Sequence, residues 1–341
     1  MKKIFIVLAA VAAVAACAKS EVEYTASEEI TFTPVAKNVT KAMMLKDVFT
    51  TTEKFNVWAF YNPTTILESD IDKWVAEYNS ADNADVYLDD KTFAYDEGYS
   101  LWAGDEAPYF WPKVGSLAFA GYHPTTANAK YTLSSTENKM VFSDVVNSWV
   151  SAETSNEEDL MYFNLTTGYS KNNVTAVFKH ALSWLTINVA TTEATVNAGA
   201  KISVSSVKFT DVMPNGTGTV NNQEVITWET AGTAGPVETA VPAVDELTTT
   251  PVKLKEPLLI PQNMNGNLEI TYKITSEPDG SNFTETKVIK LNEMKDSENA
   301  ALSKWEPAKH YIYNIVIGTE EILIDASVAE WVDVEVPVSV Q

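Results

Sequence analysis

The chain has 341 residues, of which 45 % are hydrophobic and 21 % are charged, a globular composition with room for two domains of common size. Its formal net charge is −22, and all 24 basic residues are lysine. Without arginine and without a basic surface, nucleic acid is not an expected partner.

The first segment is typical of an exported protein. Two lysines precede a short apolar run that ends at the sole cysteine, Cys17. The run fits the core of a signal peptide better than a membrane span. Small residues at 14–16 resemble a bacterial lipobox, which implies a signal peptide at 1–16 and a lipidated tether at 17–27. Two acyl chains on Cys17 would anchor the protein to the outer membrane; the alternative is an ordinary signal peptide with an incidental cysteine.

The first strand is predicted at 29–35. Its apolar residues Ile30, Phe32 and Pro34 alternate with threonines, which indicates one buried face and one polar face. A second strand is predicted at 54–61, where strand-forming residues are dense. Apolar residues at helical spacing in 69–78 predict one short helix in the N-terminal half.

Aromatic residues crowd the segment between 86 and 122. We interpret them as the core of a β-sandwich, with a sugar-stacking surface as the alternative. A polar, turn-rich stretch follows and is the predicted domain boundary. We therefore predict an N-terminal β-sandwich at 28–165 and a linker at 166–173.

Segments rich in strand-forming residues recur at regular spacing in the second half. This pattern predicts a C-terminal β-sandwich at 174–341. Three turn dipeptides stand in the predicted connections: Asn215-Gly216, Asn265-Gly266 and Asp279-Gly280. The predicted fold class is all-β, with two sandwiches in tandem and one short helix in the N-terminal domain.

The last ten residues alternate valine with polar side chains, again a strand with one buried face. The valines are Val332, Val334, Val336, Val338 and Val340. Two partners are open for this strand: another copy of the chain, or the edge of its own C-terminal sandwich.

No arrangement of residues indicates catalysis. The three histidines are far apart, no metal-ligand spacing occurs, and neither a nucleophile elbow nor a phosphate-binding loop is present. We expect no enzyme activity, no metal and no cofactor. A hydrolase built on a pair of acids stays open as an alternative, because such a pair cannot be identified without a fold.

Taken in order, these segments resemble the fimbrillin family of Bacteroidales, the subunits of type V pili and their relatives. The resemblance implies two transthyretin-like β-sandwich domains, export as a lipoprotein and a place on the cell surface or in a fimbrium. The matching segments are Cys17 with its lipobox, 29–34, 40–42, 109–124, 159–163, 174–189, 258–262 and 305–334.

The resemblance also implies a way of assembling. In polymerising members, a protease cuts after a basic residue just past the first strand, and a C-terminal strand of a neighbouring subunit fills the groove that this strand leaves. Here the cut corresponds to Lys41 or Lys37, the displaced strand to 29–35 and the donor strand to 332–340. The implied partners are other copies or related pilin subunits.

The chain departs from the family in two places. Without arginine it offers no site to an arginine-specific protease, so a protease that accepts lysine must cut, or the subunit stays anchored. Ala308 stands where the family usually has glycine, which we interpret as a turn that does not need a positive φ. The alternative function is a surface lipoprotein that does not polymerise and binds glycans.

Overall fold

The computed structural model describes residues 29–36, 49–62, 85–125, 131–134, 139–146, 159–168, 173–221, 225–239, 244, 246–276, 280–295, 301–319 and 322–330. Four predicted features lie outside these ranges: Cys17, Lys41, the helix at 69–78 and the valine strand at 332–340. Within the described ranges, no helix is long and apolar enough to cross a membrane.

Strands dominate the described residues, which confirms the predicted all-β class. The first strands are β1 (Phe32–Ala36), β2 (Phe55–Asn62), β3 (Asp85–Asp96), β4 (Leu101–Gly104), β5 (Ser116–His123), β6 (Tyr131–Ser134), β7 (Lys139–Val146), β8 (Met161–Gly168), β9 (Val174–His180) and β10 (Ser183–Thr191). A short helix α1 (Glu193–Asn197) follows. The later strands are β11 (Ala200–Val212), β12 (Asn215–Asn221), β13 (Thr227–Ala231), β14 (Gly235–Thr239), β15 (Val252–Lys255), β16 (Leu258–Leu259), β17 (Asn267–Ser276), β18 (Asn282–Lys290), β19 (Lys309–Ile317) and β20 (Ile322–Glu330).

The first half closes into a barrel, where the sequence predicted a sandwich. The strand order is β1-β4-β3-β2-β5-β8-β9, and the parallel pairing of β1 with β9 closes the ring. Aromatic side chains fill its interior, among them Phe55, Phe93, Phe119 and Phe163. Rings of this size can fill the interior of a small barrel, which accounts for the aromatic density of the sequence.

The second half is a sandwich of two sheets. One sheet has the order β15-β10-β19-β20 with β16 paired to β10, and the other has the order β14-β11-β17-β18. Inward side chains alternate along each strand, as in β19, where Tyr311, Tyr313 and Ile315 are buried. They meet the inward side chains of β11 and β17 in one core. The predicted period-2 pattern is therefore the pattern of the folded strands.

A fourth sheet joins the two halves, and the sequence did not predict it. Strands β6 and β7 come from the first half, β12 and β13 come from the second half, and β7 pairs with β12. This sheet packs on the outer face of the barrel, where Trp58 and Phe60 meet Met140 and Phe142. Strand β5 is consequently buried on both faces.

The segment 166–173, predicted as a linker, runs from the end of β8 to the start of β9. Both strands belong to the barrel, and they pair at Met161 with His180 and at Tyr162 with Lys179. The chain leaves the barrel between β9 and β10, at Ala181 and Leu182. A polar hairpin end and a polar linker have the same composition, so composition alone does not separate them.

One of the three predicted turns is wrong. Asn215 and Gly216 do not form a connection but lie inside β12, with Gly216 paired to Thr230 and to Val145. A Cβ atom on Gly216 would lie 2.9 Å from the carbonyl oxygen of Glu229. The glycine is therefore needed for close packing between strands and not for a turn. At the β17–β18 hairpin, by contrast, Gly280 has a φ of +68°, as a turn requires.

The interpretation of Ala308 is also wrong. Its φ is 56°, in the left-handed region that favours glycine. Its amide donates a hydrogen bond of 2.9 Å to the carbonyl oxygen of Leu182, at the passage from the barrel to the sandwich. The turn therefore needs a positive φ, and alanine adopts it under strain.

Replacing Ala308 with glycine is expected to raise the free energy of unfolding by roughly 0.5–1 kcal/mol. Relief of left-handed strain contributes about 1–2 kcal/mol, and the greater freedom of glycine in the unfolded chain offsets about 0.5–1 kcal/mol of it. Urea denaturation measures the difference. Ala198, whose φ is −77°, is the matched control, since Ala198→Gly relieves no strain and should lower stability. Equal losses at both positions would contradict the assignment of strain to Ala308.

Candidate functional site

Strand β1 fills a gap in the barrel between β9 and β4. It pairs in parallel with β9 along its whole length, from Phe32 opposite Val174 to Ala36 opposite Phe178. On the other side, only Phe32 and Trp102 of β4 are paired. The backbone ladder that holds β1 therefore lies mostly on the β9 side. We call this gap the β1 slot, bounded by β9 and β4.

The residues just before β1 extend its attachment to the barrel. The amide of Val174 donates to the carbonyl oxygen of Thr31 at 2.8 Å, and the amide of Ile30 donates to that of Tyr109 at 2.7 Å. On the polar face, Nδ2 of Asn173 donates to Oγ1 of Thr33 at 2.7 Å. The first strand is thus bonded at both of its long edges, although regular pairing is extensive on one edge alone.

Phe32 is the largest side chain that β1 places in the barrel, and it is fully buried. Four phenylalanine rings surround it, each from a different strand, at centroid distances of 5.7, 4.8, 5.3 and 6.2 Å: Phe55, Phe93, Phe119 and Phe163. Three of the four contacts are close to edge-to-face, a favoured arrangement of aromatic rings. We call these four rings the phenylalanine pit.

The structure places the three residues predicted for the displaced strand together. Ile30, Phe32 and Pro34 are all buried, whereas of the two threonines expected on the polar face only Thr33 is partly exposed and Thr31 is buried. Pro34 lies opposite Ala176 of β9 and has no amide hydrogen to donate to either neighbour. A proline is tolerated here because the pairing with β4 is confined to Phe32, so one side of the strand makes few ladder bonds.

Glu29 is a buried acid at the entrance to β1. Its backbone forms an isolated antiparallel β-bridge with Phe110, and the residue is 7 % exposed. Burial raises its pKa, the hydrogen bond from the Tyr99 side chain lowers it, and the charge of Asp96 raises it, with a net upward shift. The neutral form of Glu29 is therefore favoured in the folded barrel relative to an exposed glutamate, so protonation of Glu29 stabilises the start of β1 and this contribution is lost as the pH rises.

Sequence reasoning missed the walls of the β1 slot. The phenylalanine pit is spread over β2, β3, β5 and β8, and no local pattern marks four distant rings as neighbours of Phe32. The parallel partner was also missed, although β9 carries a clear signal. Its residues alternate between buried and exposed along Val174–His180, which is the pattern of a strand between a core and solvent.

The other predicted site residues lie outside the described ranges. Cys17 and Lys41 precede and follow the first strand in the chain, and β1 ends at Ala36, shortly before Lys41. The valine strand at 332–340 follows β20, which ends at Glu330. The structure therefore describes the β1 slot but neither the lipid anchor, the cleavage position nor the donor strand.

The aromatic cluster between 86 and 122 lies largely in the barrel core. Phe93, Trp102, Trp111 and Phe119 are buried and belong to it. Tyr87 and Tyr99 are the rings of this segment with substantial exposure, at 40 % and 44 %. The hydroxyl of Tyr87 already donates to the carbonyl oxygen of Phe110 at 2.7 Å. This distribution agrees with a core and offers few exposed rings for stacking on a sugar.

A polar cleft of about 340 Å³ lies in the second half, between β13 and the segment before β19. Trp228, Gln262, Lys304 and Glu306 are among its lining residues. Lys304 and Glu306 form an ion pair at 2.7 Å, and Gln262 is bonded to the backbone of Met213 through both ends of its amide. Across the described part of the chain, no group of three or more histidine, cysteine or acidic residues could hold a metal ion.

Comparison with known proteins found one sequence family. The profile of a family described as fimbrillin-like matches residues 40–331. No curated protein matches the chain.

Several solved structures have a similar fold. A fimbrial protein from Bacteroides vulgatus has a TM-score of 0.57 and 16 % identity, covering 88 % of this chain and 99 % of that chain. A candidate cell adhesion protein from Parabacteroides distasonis has a TM-score of 0.53 and 11 % identity, covering 90 % and 98 %. Another from Bacteroides uniformis has a TM-score of 0.50 and 16 % identity, covering 89 % and 99 %. At these identities the likeness concerns the fold alone.

Proposed function

The chain belongs to the fimbrillin-like family, and from this premise we propose that it is a subunit of a fimbrium or a surface adhesin, assembled by exchange of its first strand. The family is one of fimbrial and cell adhesion proteins with structural, non-enzymatic roles, and its place is the cell surface. The partners that follow are other pilus subunits. Lipidation at Cys17, cleavage at Lys41 and donation of 332–340 belong to the proposal.

The observation that carries this proposal is the way β1 is held. It is the first strand of the described chain, and it closes a barrel that is otherwise continuous from β4 to β9. If β1 left, β9 and β4 would each expose an edge of unpaired amides and carbonyls, and the phenylalanine pit would open to solvent. An open edge beside an apolar groove is a template for another strand.

The valine strand has the pattern that such a groove requires. Five valines at every second position present one apolar face, and nine extended residues span about 30 Å, enough to follow β9 along its length. Burial of five valines contributes on the order of 7–15 kcal/mol before costs. Association costs about 4–15 kcal/mol, so backbone pairing with β9 is needed to make the exchanged strand stable.

Strand direction favours exchange as well. Strand β1 runs parallel to β9, and parallel pairing is slightly less stable per residue than antiparallel pairing. A donor strand that entered in the opposite direction would be antiparallel to β9, where the long ladder is. The donor would then be parallel to β4, and the less stable parallel pairing would affect only the one residue pair on that side. The donor would thus have the more stable antiparallel pairing along β9, the edge with more backbone hydrogen bonds.

Processing sets the condition for assembly. Lys41 follows β1, so a cut there would leave the first strand attached to the rest of the chain only through non-covalent contacts. A protease that accepts lysine is required, since the chain has no arginine. Without a cut, the lipid on Cys17 would keep the subunit in the outer membrane, and it would act as an anchor or accessory subunit.

The alternative of a glycan-binding lipoprotein that does not polymerise has less support. It relied on the aromatic residues of the N-terminal half, and these lie largely in the barrel core. The β1 slot, by contrast, is formed by residues whose arrangement matches what strand exchange needs.

Cleavage between β1 and β2 is expected to produce a species that forms ladders resistant to SDS. A site for a sequence-specific protease, inserted at Lys41, limits the cut to this position despite the other lysines. Gel electrophoresis without boiling measures the ladder. Deleting 334–341 should abolish it, because the donor strand is gone, while the barrel should stay folded.

A point variant separates loss of the donor from general damage. Val336→Asp places a charge on the apolar face of the donor and should also abolish the ladder, whereas Ser339→Asp, on the polar face, should leave it unchanged. Cut protein that stays monomeric at high concentration would show that strand exchange is wrong for this chain.

A further inference from the structure

Strand β18 is a long exposed edge in the second half. It ends the sheet β14-β11-β17-β18, and within the described residues no strand pairs with its outer side. All nine of its residues are exposed except Ile289, which is half-buried. Phe283 and Val288 are more than half exposed, at 58 % and 53 %. A long exposed edge offers a row of unpaired backbone groups with which another strand can pair.

The hydrogen bonds at the two ends of the β17–β18 hairpin show which backbone groups of β18 point outward. The amide of Ser276 donates to the carbonyl oxygen of Ser281, and the amide of Leu291 donates to that of Gly266. In an antiparallel ladder bonded and non-bonded pairs alternate, so the odd-numbered residues of β18 face β17. The amides and carbonyls of the even-numbered residues therefore face outward: Asn282, Thr284, Thr286, Val288 and Lys290.

We propose that this outer edge pairs with β18 of a second copy of the chain, antiparallel and with the two-fold axis at Thr286. Each outward-facing residue then donates one backbone bond and accepts another. The sheet becomes continuous across the two copies. This contact goes beyond strand exchange, since it uses neither the β1 slot nor the valine strand.

The side chains of β18 are complementary to themselves in this register. Glu285 lies opposite Lys287 of the second copy, and Lys287 lies opposite its Glu285. Phe283 lies opposite Ile289, so the exposed ring is covered by an apolar side chain. Opposite charges and apolar pairs at facing positions stabilise antiparallel strands. Nowhere along the nine residues does a charge meet a like charge.

Neighbouring registers lack this complementarity. An axis moved by one residue places Glu285 opposite itself or Lys287 opposite itself, which is unfavourable. An axis at Thr284 or Val288 removes the ion pairs altogether and places Phe283 opposite Glu285 or Lys287 opposite Ile289. Charge and hydrophobicity therefore select Thr286 as the centre.

The carboxylate of Glu285 is already held in place within each copy. The hydroxyl of Tyr272 donates a hydrogen bond of 2.8 Å to Oε2 of Glu285. The hydrogen bond leaves the other carboxylate oxygen for an ammonium group. A charge fixed before association loses less side-chain entropy when it pairs.

The dimer should be weak in dilute solution. An edge-to-edge contact of nine residues is small compared with stable interfaces, and each copy carries a net charge of −22. We expect a dissociation constant in the high-micromolar range. Copies held side by side on a membrane or in filaments would associate more strongly, because the effective concentration there is much higher.

Sedimentation velocity on the uncut full-length chain, from about 5 to 500 μM, tests the proposal and cannot register strand exchange. The expected result is a reversible dimer that grows with concentration. Thr286→Pro should raise the dissociation constant at least tenfold, because it removes an outward amide at the axis. It costs no backbone bond to β17, so the monomer keeps its ladder. The hydrogen bond of 2.8 Å between the hydroxyls of Thr286 and Thr271 is lost in Thr286→Pro and in Thr286→Ala alike, so the two variants differ only in the outward amide. Thr286→Ala keeps the amide and should leave the dimer nearly unchanged.

Charge reversal gives an independent measurement. Glu285→Lys and Lys287→Glu should each weaken self-association, since like charges then face each other. An equimolar mixture of the two variants should associate at least tenfold more strongly than either alone, and the double variant should recover the dimer. Monomers at every concentration, a dimer that Thr286→Pro leaves intact, or a mixture no stronger than its components would each overturn the proposal.

Discussion

Replacing Phe32 with alanine is expected to lower the free energy of unfolding by about 3–5 kcal/mol. The side chain is fully buried, and the rings of the phenylalanine pit surround it at 4.8 to 6.2 Å. Alanine would remove the buried ring and leave a cavity that four rings from four different strands cannot all move to fill. The loss therefore includes both the hydrophobic transfer and the cavity.

The control for this variant lies on the same strand. Val35 is half-buried and points away from Phe32, so Val35→Ala should cost about 1 kcal/mol or less. Urea denaturation followed by tryptophan fluorescence measures both variants, because Trp102 and Trp111 lie in the barrel core. Equal losses for the two variants would contradict a dominant role for Phe32 in holding β1.

In the proposed strand exchange, Phe32 would also oppose the donor strand. A valine from a donor strand is smaller than phenylalanine and would leave part of the phenylalanine pit unfilled. The donor would therefore lack the ring contacts that Phe32 of β1 makes. Exchange can be favourable only if the added length of the donor, its five valines and its pairing with β9 outweigh this loss. Under the proposal, a cut at Lys41 would leave β1 held by non-covalent contacts alone, so a donor would not have to displace a covalently attached strand.

The features that local patterns encode were predictable. Alternation over 29–35 predicted a strand with Ile30, Phe32 and Pro34 on its buried face. The structure buries all three, but its strand runs from Phe32 to Ala36, and Thr31 is buried as well. The many strands of the second half followed from period 2 at regular spacing, although β9, at the start of the range predicted for the second sandwich, belongs to the barrel. Both predictions need only the relation between a residue and its neighbours in the chain, which the sequence states directly.

Features that depend on distant partners were not predictable. Strand β1 pairs with β9, about 140 residues later, and β7 pairs with β12 across the two halves. Pattern analysis finds a strand but does not name its partner. The linker was misplaced for the same reason, since nothing in the composition of 166–173 tells that both flanking strands return to one barrel.

The backbone conformation at single positions was also not predictable from the sequence. Ala308 adopts a positive φ because the turn before β19 and its bond to Leu182 impose it, although alanine has no preference for that region. Gly216 lies in a strand because a neighbouring strand passes too close for a Cβ atom. In both cases tertiary packing overrides the local preference of the residue.

The second large expected effect concerns a buried pair at the end of the β8–β9 hairpin. Oδ2 of Asp159 lies 2.7 Å from Nδ1 of His180, and both side chains are almost completely buried. The amide of Ala181 donates to the carbonyl oxygen of Leu160 at 2.8 Å and closes the same end. The pair therefore joins the second residue before β8 to the last residue of β9.

His180→Ala is expected to lower the free energy of unfolding by about 3–5 kcal/mol, because it removes a fully buried ring and leaves the buried carboxyl group of Asp159 without the neighbouring imidazole. Glu293→Ala is the matched control. It breaks the pair between Lys290 and Glu293, whose atoms are 2.9 Å apart but whose side chains are 64 % and 66 % exposed. An exposed pair contributes about 0–1 kcal/mol. Chemical denaturation compares the two variants directly.

Removal of both partners distinguishes pairing from packing. If the pair itself is responsible, the double variant His180→Ala with Asp159→Ala should lose less than the two single losses added together, because no buried polar group is left without its partner. Additive losses would show that the two residues act only by filling space. Since β9 carries nearly all the ladder that holds β1, a hairpin weakened at His180 should also release β1 more readily from its slot.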